Sequence, residues 1–149
     1  MKGSLAALGC LFGLAVAGCA QSEDVGAPPP ESPPLTKAQL IKQGDRICKA
    51  SNRRLDAAVT AELRPNPTAA QVKKIMLEVA VPELEGQVAA LRELVPPSSD
   101  APMIDLMLDA VDEAIEETRK NPIKVVRDDD AFDDANRIAR KYGFKHCSE

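Results

Sequence analysis

Few side chains in this sequence carry the chemistry of a site: four cysteines, Cys10, Cys19, Cys48 and Cys147, and a single histidine, His146. Thiolate and imidazole build redox centres and zinc sites, but the spacing here serves neither. There is no Cys-x-x-Cys, His146 has no second histidine to join it, and adjacent side chains such as His146 and Cys147 rarely converge on one ion with good geometry. A run of acids at Asp128, Asp129, Asp130, Asp133 and Asp134 raises calcium. An EF-hand loop needs acids at alternating positions, glycine at the sixth and glutamate at the twelfth, and that order is missing. Acids at a helix N-terminus, where free N–H groups and the dipole favour negative charge, is the plainer reading. Asp105, Asp109, Asp112, Glu113, Glu116 and Glu117 fill one side of another helix and read as solvated charge. A di-iron bundle would require Glu-x-x-His pairs. Met103 and Met107 stand one turn apart, a spacing open to Cu(I), yet on an apolar stripe they read as core filling. Ser98 and Ser99 sit in a capping segment without a catalytic partner, and no glycine-rich phosphate loop precedes a helix. No catalytic, cofactor-binding or metal-ligating residue is assigned, and the chain reads as a non-enzyme without a cofactor.

Cys19 belongs to a different chemistry. Residues 5–18 carry no charge and follow a single Lys2. That run is shorter than the ~20 apolar residues a membrane span needs, and it has the charged start, apolar middle and small-residue exit of a secretory signal. Val16-Ala17-Gly18-Cys19 resembles the lipobox of bacterial lipoproteins: a branched apolar residue, two small ones and an obligatory cysteine. The resemblance implies that residues 1–18 are a signal peptide, that the Cys19 sulfur receives a diacylglyceryl group, and that the new amino terminus is acylated. Each buried methylene contributes ~0.8 kcal/mol to attachment, so two or three chains make a durable anchor. Residue 20 is alanine rather than aspartate, which in Gram-negative members of the family would not retain the protein at the inner membrane.

On this reading Cys10 leaves with the signal and Cys19 is lipidated. Cys48 and Cys147 remain in an extracytoplasmic space where disulfides persist, and they most simply pair with each other.

Residues 19–35 read as a tether. Residues 20–35 hold five prolines and three acids and show no period. They cannot bury enough apolar surface to offset their ordering, and at ~3.1 Å per residue they could reach ~50 Å. Residues 36–149 suffice for one domain around one core. Without Lys2 the mature chain keeps 18 of its 19 basic residues against 23 acids, net −5, which excludes a nucleic-acid partner. Its aromatics are Phe132, Tyr142 and Phe144 alone, too few for a stacking platform.

The periodicity predicts four helices and no half-buried strand, hence an all-α, four-helix-bundle-like domain. Thr36-Lys37-Ala38-Gln39 is a capping box with Leu35 and Leu40 at the staple positions. The helix it opens turns Leu40, Gly44, Ile47, Cys48, Ser51, Leu55, Ala58, Val59 and Leu63 to one face and stops at Pro65 and Pro67. Thr68-Ala69-Ala70-Gln71 opens a second helix that continues to about residue 95 and contains Pro82, which predicts a kink or two abutting helices. The third covers residues 103–120. The fourth starts near residue 127 and ends at Gly143, where a left-handed residue is expected and Phe144 can fold back. Residues 123–126 are ambiguous.

"GDRIC" in the first helix and "YGFKHC" at the end are similar to segments of small helical lipoproteins and secreted proteins of bacteria. The likeness implies the architecture already described and no activity. The function expected is a membrane-anchored interaction or accessory module of the cell envelope, with the membrane as one partner through Cys19 and an unidentified envelope protein as another. The alternative is a carrier that holds a small ligand or metal in a cavity between its helices.

Overall fold

Two threonines start the first two helices, each by the same reciprocal pair of bonds. Thr36 Oγ1 accepts from the Gln39 N–H at 3.3 Å while Gln39 Oε1 accepts from the Thr36 N–H at 2.9 Å, and Thr68 and Gln71 repeat the arrangement. The computed structural model describes residues 33–63 and 65–149. The signal peptide, Cys19 and residues 20–32 of the tether lie outside the described residues.

Helix α1 (Lys37–Glu62) is followed by α2 (Ala69–Ile75), a π-helical turn (Met76–Ala80) and α3 (Val81–Arg92). Next come α4 (Ala101–Lys120), α5 (Pro122–Asp128), α6 (Asp133–Tyr142) and a short 3-10 turn (His146–Ser148). The described residues are helical with no strand, and the arrangement is bundle-like. The interruption expected at Pro82 takes a specific form. Proline cannot donate an N–H and its ring crowds the carbonyl four residues back. The helix widens into the π turn just before Pro82, which then occupies the first turn of α3.

The fourth expected helix begins later than its acids suggest. Residues 123–126, ambiguous in sequence, belong to the short extra helix α5. Asp128 is its last residue, and Asp129 adopts a left-handed conformation, φ 55°, that ends it. Only Asp133 and Asp134 lie in the first turn of α6. Gly143 takes φ 118°, and the N–H groups of Gly143 and Phe144 both donate to the Ala139 carbonyl at 3.0 Å. That turn sends Phe144 back into the core.

Leu40, Cys48, Val88, Leu91, Ile104, Met107, Leu108, Ile115, Ile138, Tyr142 and Phe144 form one buried cluster, so Met107 is core, with Met103 packed against it. Helix α4 packs on α3 and α6, and α1 packs on α3 and on the C-terminal turn. Arg54 of α1 donates from Nε and Nη2 to Glu83 of α3, with a shortest distance of 2.6 Å. The bond from Arg54 outweighs partial burial and holds the Glu83 carboxyl below the usual range. The Tyr142 hydroxyl donates to Asp100 Oδ2 at 2.7 Å, tying the end of α6 to the start of α4. No helix among the described residues is long and apolar enough to cross a membrane.

Candidate functional site

Three residues on one face of α1 hold the C-terminal turn. Cys48, wholly buried, is bonded to Cys147 with the two Cα atoms 5.0 Å apart. One turn earlier, Asp45 Oδ1 accepts from the backbone N–H groups of Lys145 at 2.9 Å and His146 at 2.8 Å. One turn later, Asn52 Nδ2 donates to the His146 carbonyl at 3.1 Å. Positions 45, 48 and 52 follow helical spacing, so a carboxylate, a disulfide and an amide point the same way. Gly44, beside Asp45, leaves room for Phe144: a Cβ there would come within 2.5 Å of the Phe144 ring. The segments "GDRIC" and "YGFKHC" are thus the two halves of one clamp.

The clamp forms one wall of a cleft of about 410 Å³. Asn52, Leu55 and Val59 of α1 line it from one side and Met76, Ala80, Leu84 and Gln87 from another. Val125 of α5, Asp129, Ala131 and Phe132 of the α5–α6 connection and Asp133 of α6 contribute a further side, and His146, Cys147 and Glu149 close the end. The cleft explains a departure from the expected α1 stripe. Leu55, Ala58 and Val59 are only half-buried, because the far half of α1 roofs the cleft instead of resting on core.

Gln87 is the polar residue of greatest interest here. It is 9% exposed, and its Oε1 has no hydrogen-bond partner among the described residues. Buried amides in folded proteins are almost always satisfied, so this acceptor, closed off from solvent behind the cleft wall, is an exception. In sequence Gln87 is visible only as a polar interruption among Leu84, Val88 and Leu91.

The acidic run does not converge. Asp128 is paired with Arg127 at 2.6 Å and Asp134 with Arg137 at 2.9 Å, while Asp129 and Asp133 line the cleft. Among the described residues no group of three or more His, Cys, Asp or Glu side chains is placed to hold a metal ion. Four of the acids of α4, Asp109, Asp112, Glu116 and Glu117, face basic partners. Arg92 of α3 binds Asp112 at 2.6 Å, and Arg119 bridges Glu116 on its own helix to Glu85 of α3. His146 Nδ1 lies 3.2 Å from Glu149 Oε2 at the cleft's end. Ser99 donates to Asp100 at 3.0 Å.

Comparison with protein-family models, with curated proteins and with solved structures finds no match. The functional reading therefore rests on the residues themselves: a disulfide-clamped helical body and a mostly apolar cleft with one unsatisfied amide.

Proposed function

We propose that the chain is a lipid-anchored, extracytoplasmic lipoprotein of a bacterial cell envelope whose helical body is a non-enzymatic module that takes up a small ligand in the cleft. The observation that carries the binding reading is the mostly apolar cleft beside the clamp, whose volume lies in the range of small-molecule sites. Anchoring rests on Val16-Ala17-Gly18-Cys19, and the bond between Cys48 and Cys147 fits an oxidising compartment. A second reading, an accessory module that docks an envelope protein, is favoured by Leu106 on α4, 59% exposed, and Val126 on α5, 49% exposed.

Two readouts test the proposal. In a bacterial host the wild-type chain partitions with membranes and is released only by detergent, whereas Cys19→Ala is recovered in soluble form; equal partitioning counts against the anchor. The soluble Cys19→Ala chain, exposed to an extract of the same envelope, acquires a one-to-one small-molecule adduct in native mass spectrometry. A chain that stays bare while retaining a protein partner transfers support to the accessory module.

A further inference from the structure

We propose that the outward face of α1 is a second membrane contact: a stripe of four cations that lays the helix on the anionic phospholipid headgroups of the bilayer. The choice of partner rests on the anchored reading of Cys19, whereas the stripe belongs to the helical body itself.

Lys42, Arg46, Lys49 and Arg53 follow one another at intervals of four, three and four residues, so a single face of α1 carries them along about 16 Å. All four are exposed. Like charges three and four apart on a helix repel one another, and no carboxylate offsets the repulsion here. Asp45, the acid within this stretch, is turned to the C-terminal turn, where Oδ1 accepts from the N–H groups of Lys145 and His146. Asp56 stands one turn past Arg53 without pairing to it, and none of the four cations has an ion pair among the described residues.

The arginines make the stripe distinct from scattered surface charge. Arg54, Arg92, Arg119, Arg127 and Arg137 each bind a carboxylate, and Arg140 binds the Ser148 carbonyl. Among the described arginines, Arg46 and Arg53 are the two without such a bond, and both lie on this face. Four cations in a line, uncovered by the fold, match an extended anionic surface.

Two features favour a bilayer as that surface. The mature chain is net negative, with 18 basic residues against 23 acids, so its other faces are repelled by anionic headgroups and the stripe decides which side approaches them. The helix also follows the tether directly: Arg53 lies about 24 Å along α1 from Lys37, half of the ~50 Å that residues 20–35 could span. An anchored chain therefore has the length to bring the whole stripe to the headgroups, and tethering turns a weak contact into an intramolecular one.

The test uses the full chain carrying Cys19→Ala, so no acyl chain contributes, and residues 1–18 are common to every chain compared. Binding is read by flotation with vesicles of phosphatidylcholine alone and with about one-third phosphatidylglycerol. The parent prefers the anionic vesicles, and the preference fades at high salt. Replacing Lys42, Arg46, Lys49 and Arg53 by Gln weakens anionic binding about fivefold per charge removed, with helical circular dichroism retained. The double variant Arg46→Gln, Arg53→Gln shows about half of that loss on a logarithmic scale. A control with Lys73, Lys74, Lys120 and Lys141 replaced by Gln has the same net charge as the fourfold stripe variant and loses far less. Equal losses in the stripe variant and the control overturn the proposal, because net charge alone would then be read. Equal binding to neutral and anionic vesicles overturns it as well. Polyglutamate bound by the parent without any preference for anionic vesicles assigns the stripe to an acidic protein and also overturns the membrane contact. An unmodified Cys19 in the cell beside an intact vesicle result removes the anchor and leaves the contact standing.

Discussion

The edge of the Phe144 ring occupies the space that a Cβ on Gly44 would need, with Cε1 2.5 Å from that position. The contact joins two residues a hundred positions apart and makes the absence of a side chain on α1 a packing requirement. It also sets the sign of a substitution that helix propensity alone would get wrong.

Gly44→Ala in an open helix would stabilise the chain by about 0.5–1 kcal/mol, since glycine loses the most backbone freedom on folding. Here the ring has core on its other side, Leu91 is 3.4 Å from the same point, and overpacking of this kind costs about 1–3 kcal/mol. Urea denaturation of Gly44→Ala should show net destabilisation. A more stable variant would mean that the Phe144 ring moves aside freely.

Asp45 and the disulfide act on the same turn by different means. The bond closes a separation of 99 residues, for which about 2–4 kcal/mol is typical. Asp45 adds two hydrogen bonds to backbone N–H groups, and Asp45→Ala should cost about 1–3 kcal/mol, with Asp45→Asn losing less because it keeps an acceptor. The Cys48→Ala, Cys147→Ala double variant and Asp45→Ala should not add, since both loosen one turn. Strict additivity in denaturant titrations would show that the turn is held elsewhere.

Tyr142 is the only tyrosine in the chain, which makes its ionisation directly visible. Burial first, and the bond to Asp100 second, push its hydroxyl well above the ordinary value of 10.0. A raised folded value means that this contribution to stability is fully present below about pH 10 and lost as pH rises through the folded value. The Asp100 carboxyl is shifted the other way, below 3.8, chiefly by accepting from Tyr142, so its contribution is present at neutral pH and lost on acidification. Tyrosinate absorbance should therefore stay absent past about pH 11 while the helical circular dichroism persists, and should then appear together with unfolding. Ionisation near 10 in an intact fold would contradict the buried hydroxyl.

What could be read from sequence was mostly local. Both capping boxes and the left-handed Gly143 involve partners within a few residues, and the structure has each of them. The pairing of Cys48 with Cys147 followed from elimination in an oxidising space, and the two are bonded. Asp45 and Asn52 stayed hidden because their partners lie 94 to 101 residues away, although both stand one turn from the bridging cysteine. Residues 128–130 misled because an acidic run at a helix start and one at a helix end look alike; Asp129 in a left-handed conformation decides between them. Gln87 could be seen as a polar residue on an apolar stripe, but only the roof made by Leu55 and Val59 turns it into part of a cleft.

The most direct test of the envelope assignment is the mass of the N-terminal peptide of the mature chain recovered from a bacterial membrane. A peptide that begins at Cys19 and carries a diacylglyceryl thioether is the expected result. An unmodified peptide running uninterrupted from Gly18 into Cys19 would contradict the anchor and with it the oxidising address of the helical body.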